Sequence, residues 1–570
     1  YSSEQHCIDG FKHAFARNGL ALDQHWISYT NLSKEDAFRS AIFMLQNHNL
    51  QGIITSSETI SKGLIEAAHV RGIDIPGNLL VLSLGQDRWN LYSSSQGVIN
   101  TLRPALNMGE EAARLLIKNM QSPILFEKQR IVLEDKVVYK DIELKNRTTK
   151  SEITLVKKGT LNVLMLESPT AVSIEGLLPH FTNNTFIDVN IKTYPQQYIL
   201  DKIISDARSK SQDIDVYMFD IPWLPFIASN KYLMNLTKFI NAHDFDKNIF
   251  IPGTLKHFSE FEGEYYGVPF MYAPQILFYR KDLFEDKSLK REFEARYKTE
   301  LTPPDTWLEF NAIAEFFTKS LNPSSPVEYG TSVAANYSEL LVPEFLPRLW
   351  SYNGRIFNEQ NKVTFNSPET IKAMTNFCKT FEFTRPDTLN QRIEDTVADF
   401  YEGKTAMLIC YISYTTDITN RFKSDIVGKI GYDFIPGKTP VLGGWSMGIN
   451  PNSKNPKQAF KFINWACGTD ICNYHTILEG QSPLMDVYNN DELDKLYPWL
   501  PLGLETFKYC RTRKGPHIQG GKIIPQDNIE FIIAKAIYSV LKKETTIENA
   551  LNTAQQALEQ LFEDYGYPQK

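Results

Sequence analysis

Gly444-Trp445-Ser446-Met447-Gly448 sets a serine between two glycines at the spacing of a nucleophile elbow, in which a strand turns sharply into a helix and exposes the hydroxyl. That chemistry needs the helix directly after the serine. Here Ile449 runs into Asn450-Pro451-Asn452-Ser453, and helical spacing resumes only near Pro456, so a catalytic serine is not expected. Cys467 and Cys472 stand five apart, off the short spacings that chelate zinc, and no histidine pair follows them. No metal site and no cofactor are expected. Paired carboxylates for glycoside hydrolysis would be joined by the fold and not by spacing, and nothing singles out a pair. The chain reads as a non-enzyme.

The elements that position these residues follow from length and pattern. At 570 residues the chain exceeds one ordinary core, which suggests three or four structural units or lobes of two larger domains. Hydrophobic residues make up 42% and charged residues 22%, a globular balance, and no run approaches the roughly 18 apolar residues of a membrane span. A net charge of -7 argues against a nucleic-acid surface, which clustered Lys and Arg would supply. The six cysteines form no tight framework and read as reduced thiols, favouring the cytosol.

In the first segment Ser33 and Asp36 form a capping pair ahead of Phe38, Ile42 and Leu45 at helical spacing. Residues 52–55 read as a buried strand, Ile60, Leu64 and Ala68 as a helix stopped by Gly72, and residues 79–84 as a second strand. Met108, Ala112, Leu115 and Leu116 make a further amphipathic helix, followed by strand-like residues 130–138. This alternation predicts a parallel sheet covered on both faces. Polar, aperiodic residues 145–159 read as a linker. Strands at 161–166, 187–191 and 214–219, with helices between them, then restore the alternation as a new doubly wound lobe.

Gly10-Phe11 with Ala14, Arg71-Gly72-Ile73-Asp74-Ile75-Pro76, Gly85-Gln86-Asp87, Arg103-Pro104 and Met108-Gly109-Glu110 resemble, in this order, the effector-binding core of the lac-repressor and galactose-repressor type. The resemblance covers the later part of that fold, and implies that a first lobe and a DNA-binding head precede Tyr1. Several sugar-contacting positions depart from the family pattern: Cys7 stands where an Arg is usual, Ser57-Glu58 where Asn-Asp is usual, and Gly85-Gln86-Asp87-Arg88 where Gly-Phe-Asp-Asp is usual. A pocket built to bond hydroxyls loses much by such exchanges, so this one is expected to be degenerate or retuned, with Glu58 and Asp87 as the groups of a retuned site.

The second segment resembles the family 1 extracellular solute-binding proteins of carbohydrate ABC importers. Its motifs are Asp215-Val216-Tyr217, Tyr266-Gly267-Val268-Pro269, residues 277–284, Pro304-Asp305-Thr306-Trp307, Phe400 with Gly403-Lys404-Thr405-Ala406-Met407, and Gly443-Gly444-Trp445. The resemblance implies two α/β lobes with ligand in the cleft, and residues 269–279 and 406–411 as the passages between lobes. Sugars offer C–H faces between rims of hydroxyls, so their clefts need aromatic faces with polar neighbours. On that basis the expected ligand-binding residues are Glu167, Asp220, Trp223, Tyr272, Trp350, Asn353, Tyr411, Trp445 and Ser446, with Gly443 and Gly444 letting ligand approach the backbone beside Trp445. Trp307 is assigned to packing.

The expected fold is α/β: a partial type I periplasmic-binding-like domain at 1–149, followed at 150–570 by a two-lobed type II periplasmic-binding-protein fold. The expected function is the sensory region of a cytoplasmic bacterial transcription regulator that binds a mono- or oligosaccharide and signals by lobe closure. DNA would be bound only through a head outside this chain, and a homodimer would match two half-sites. The alternative is an exported sugar-binding receptor of an ABC importer, extracellular or a cell-surface lipoprotein.

Overall fold

Contacts divide the chain into two compact units, residues 1–157 with 176–186, and residues 158–175 with 187–570. The computed structural model describes residues 2–86, 97–102, 105–121, 131–133, 136–138, 159–241, 245–336, 341–420, 423–518 and 521–569. The division expected at 149/150 lies outside the described residues, as do Asp87, Arg88, Arg103 and Pro104.

In the first unit Ser33 caps the helix Lys34–Asn47 by accepting from the Asp36 amide at 3.1 Å. Asp36 in turn accepts from the Asn31 amide at 2.8 Å, so the turn before the helix is satisfied as well. Phe38, Ala41, Ile42 and Leu45 are buried and face the helix Glu58–Val70. Gly63 allows that approach, because a Cβ there would meet the Ala37 Cβ at 2.7 Å. Strands β1 (Gly52–Thr55), β2 (Leu80–Gln86) and β3 (Val98–Leu102) pair in parallel. β4 (Lys136–Val138) joins β3 antiparallel, an edge arrangement common on parallel sheets, and differs in this from the all-parallel expectation. Glu58, expected in a retuned pocket, lies in the first turn of its helix with the Lys62 ammonium 3.1 Å away.

In the second unit β5 (Gly159–Leu166), β6 (Ile187–Tyr194) and β7 (Val216–Asp220) are parallel; the helix Gln196–Ser209 joins β6 to β7, and the helix Pro169–Thr185, which joins β5 to β6, counts with the first unit from residue 176 on. β8 (Glu260–Phe261) and β9 (Glu264–Tyr265) form a short hairpin. β10 (Val268–Arg280), β11 (Tyr329–Ser332), β12 (Thr405–Tyr411), β13 (Ile430–Asp433) and β14 (Leu442–Ile449) complete a sheet of order β11-β12-β10-β14-β7-β5-β6, with β13 also on β10. β10 makes the two lobes. Its first half pairs with β14, up to Pro274 opposite Leu442, and its second half with β12, from Gln275 opposite Tyr411. The expected crossing at 269–279 thus lies in β10, whereas 406–411 stays in the second lobe as β12, antiparallel to β10.

The second lobe is built largely from distant chain. Phe345 and Phe377 pack with Ile533, Ile537, Leu551, Leu558 and Phe562 from the helices Gln526–Leu541 and Ile547–Asp564. Thr306 and Glu309 close a capping box at the start of the helix Trp307–Phe316. Trp307 is buried there under the Arg348 guanidinium, 3.8 Å from the ring centre, so its place is in packing.

Glu479, at the end of the helix Thr469–Glu479, is fully buried and accepts from Thr170 Oγ1 at 2.6 Å and from Ser173 Oγ. Burial pushes its carboxyl up from 4.5 to about 7, against the pull of the two hydroxyls. A carboxyl raised in the folded state binds protons there that the unfolded chain has released. Stability from this group is full below pH 4.5 and is lost as pH rises toward about 7. Glu479→Gln is expected to flatten that part of the stability profile, measured by denaturant unfolding at several pH values; an unchanged slope would refute the assignment.

Candidate functional site

β7 ends on Asp220, and the chain turns at once through Ile221-Pro222-Trp223. β14 brings Trp445 opposite Asp220, and β12 ends on Tyr411, which the β10 crossover places on the other lobe. These ends surround a cleft with an open volume of about 460 Å³, lined also by Gln196, Met271, Pro343, Ile393, Tyr414 and Arg513.

Charge in the cleft is organised around Arg513. Its Nη2 donates to Asp220 Oδ2, and its Nη1 lies 3.1 Å from Glu530 Oε2 on the helix Gln526–Leu541. Gln526 Nε2 donates to Glu530 Oε1 at 2.9 Å and holds that carboxylate in place. Beside this pair Trp223 Nε1 donates to Asp527 Oδ1 at 2.8 Å, and Trp223 meets Trp445 edge-on with ring centres 5.4 Å apart. The Asp527 carboxyl is pushed up to about 6, first by burial and then by the Glu530 charge. Burial likewise raises Asp220 against the pull of Arg513, while Asp220 and Glu530 hold the guanidinium protonated despite its burial. Burial raises the Tyr411 phenol too, so it stays a neutral donor. An aromatic wall, a carboxylate and a fixed guanidinium can accept and donate to hydroxyl groups while covering an apolar face.

Of the expected site residues, the structure brings together Asp220, Tyr411 and Trp445 on the lining, with Trp223 against Trp445. The others stand elsewhere. Tyr272 is buried with Ile221, Ile251, Phe258 and Leu442, and its hydroxyl donates to the Gly503 carbonyl at 2.7 Å. Ser446 is buried in mid-strand, and its Oγ donates to the Phe258 carbonyl at 2.8 Å. β14 runs on to Ile449 and the next helix is Pro456–Ala466, so no elbow forms. Glu167 is exposed just past the end of β5, its amide donating to the Tyr194 carbonyl at 2.9 Å, and it is not on the cleft lining. Trp350 packs on the core of the second lobe. Asn353 is exposed with a φ of 62°, its amide donating to the Trp350 carbonyl at 3.1 Å, which makes it the left-handed stop of a helix.

Gly443 and Gly444 both line the cleft, beside Trp445, and packing also requires them to be glycine. A Cβ at Gly443 would lie 2.6 Å from the Tyr411 ring, and one at Gly444 would strike the Phe258 ring. They make room for protein side chains that shape the cleft. Gln196, Arg513, Glu530 and Asp527 were missed. Gln196 had a signal, as the first residue of the helix after β6; the three C-terminal residues had none. Among the described residues no group of three or more His, Cys, Asp or Glu could hold a metal ion, and no helix is long and apolar enough to cross a membrane.

Residues 168–470 match the model of the bacterial extracellular solute-binding protein family, and residues 2–141 that of the periplasmic binding protein-like domain. A probable ABC transporter-binding protein of Deinococcus radiodurans is 24% identical over 352 residues, 60% of this chain and 79% of that protein. The solute-binding protein of Agrobacterium radiobacter K84, solved in complex with ribitol, superposes with a TM-score of 0.63 at 23% identity, over 71% of this chain and 99% of that one. The HTH-type transcriptional regulator DegA of Bacillus subtilis is 27% identical over 138 residues, 24% of this chain and 40% of that protein. The fold is α/β, a partial type I periplasmic-binding-like domain followed by a two-lobed type II periplasmic-binding-protein fold.

Two expectations are overturned. The reading as sensory region of a transcription regulator gives way, because the family model and the Deinococcus relative both place the larger part of the chain among transport binding proteins. The regulator likeness covers only 24% of this chain. The cytoplasmic assignment falls with it, since the matching family is extracellular. Reduced thiols were a weak guide: a chain with a large core needs no disulfides in any compartment.

Proposed function

The chain belongs to the bacterial extracellular solute-binding protein family, and on that premise we propose that it is the exported sugar- or polyol-binding receptor of an ABC importer. It captures ligand without turning it over. The first unit, in this reading, is a ligand-binding half of the lac-repressor and galactose-repressor type, and the domains divide as 1–149 and 150–570.

The observation that carries the proposal is a cleft in which Asp220, Trp445 and Tyr411 converge from both halves of a sheet joined through β10. Ribitol in the Agrobacterium relative supports a polyhydroxylated ligand. A ligand touching both lobes stabilises the closed form, and shifting a two-state population from 1:99 to 99:1 takes about 5.5 kcal/mol of differential affinity. Micromolar binding is worth about 8 kcal/mol, which is sufficient. Thermal denaturation of the full chain against a panel of polyols, monosaccharides and oligosaccharides is expected to show a saturable rise in melting temperature with at least one of them. A flat response across the panel, confirmed by calorimetry, would remove the proposal.

A further inference from the structure

Arg513 is the single cation on the cleft lining among the described residues, and its charge is already committed. Nη2 faces Asp220 and Nη1 faces Glu530 at 3.1 Å, so one guanidinium serves two carboxylates. Asp527, held by Trp223 Nε1 at 2.8 Å, adds a third acid beside them. The other polar lining groups that face the cavity, Gln196, Tyr411, Ser413 and Tyr414, carry no positive charge. Arg348, the other buried guanidinium of this region, lies over the rings of Trp307 and Phe377 and does not line the cleft. The buried Arg513 Nε has no hydrogen-bond partner. An anion in the cleft would meet Asp220 and Glu530 across the same guanidinium, in a wall of low dielectric that focuses their field.

Resting on the reading of this cleft as a sugar or polyol site, we propose that it selects uncharged polyhydroxy ligands and rejects their anionic counterparts, sugar phosphates and sugar acids. Glu530 sets this selection as a positioning residue, by saturating Arg513 from behind. Selectivity of this kind comes from the repulsive element as much as from the attractive one.

The test uses titration calorimetry on the full chain with matched sets: mannitol, mannitol 1-phosphate and mannonate, and glucose, glucose 6-phosphate and gluconate. The neutral member of at least one set is expected to bind, with its anionic members at least tenfold weaker. Raising the salt concentration is expected to narrow the gap by screening the repulsion, without moving the neutral affinity. Glu530→Gln is expected to raise the ratio of anionic to neutral affinity at least fivefold, a ratio that a merely structural role would not move. Asp527→Asn, which keeps a hydrogen-bond acceptor for Trp223, is expected to shift the ratio in the same direction if the first variant does not fold. An anionic member binding as tightly as its neutral counterpart, or a ratio unchanged in whichever variants fold, would overturn the selection while leaving the sugar site standing. No binding by the matched sets or by the wider sugar and polyol panel would overturn the reading of the site itself, and this proposal with it.

Discussion

Arg513→Met is expected to lower the stability of the second unit by about 3–5 kcal/mol, the usual cost of removing one partner from a buried ion pair. The guanidinium is 7% exposed and is shared between Asp220, 3% exposed, and Glu530, 12% exposed. Without it two carboxylates face each other in a site that water hardly reaches, and neither keeps a counter-charge. The loss follows from the uncompensated acids, so it is expected to shrink as pH falls and they take up protons. Arg513→Lys keeps the charge but not the planar fork, and is expected to fall between the two. Denaturant unfolding of the full chain at neutral and acidic pH checks both statements. A Met variant as stable as the parent, or a loss independent of pH, would show that the pair contributes little.

Trp445→Ala is expected to abolish the ligand-dependent rise in melting temperature and to cost about 3–5 kcal/mol of stability through the cavity it leaves. Trp445 is 5% exposed, stands edge-on to Trp223, and lies opposite Asp220 in the strand register. Its removal takes away an aromatic wall and loosens the turn that carries Trp223 to Asp527. Trp445→Phe separates the two effects: it fills most of the space and is expected to keep most of the stability while binding ligand more weakly. A full ligand response in the alanine variant would take Trp445 out of the site.

Much of the architecture was legible because strands and helices announce themselves by period. The apolar runs that become β5 and β7 are short and bounded, as buried parallel strands are, while β6, at the sheet edge, alternates Ile187, Val189 and Ile191 with polar residues. Ser33 was legible for the same local reason, since a cap needs only the amides of the next turn. Asp220, Trp223 and Tyr411 could be picked out because they stand at or just past the ends of strands, where a cleft in this class of sheet opens, whereas Trp445, expected there too, lies in mid-strand in β14 and reaches the lining opposite Asp220. Tyr272, Ser446, Trp350 and Asn353 satisfied the same local criterion and went elsewhere. A strand end has two sides, and which one faces the core depends on what packs against it: Phe258 over Ser446 and Gly503 over Tyr272.

The sequence by itself determined the order of the elements, the two binding-protein idioms, and the residue types needed to meet a polyhydroxylated ligand. Tertiary structure alone decided which charges meet. Asp220 and Arg513 are 293 positions apart, and Glu530 comes from a helix whose pattern shows only its buried face. Spacing carries information about contacts within a turn or a hairpin. It carries none about a guanidinium that the long crossing of β10 and the C-terminal chain bring between two lobes, and there the burial that makes the pairing strong is itself a product of the fold.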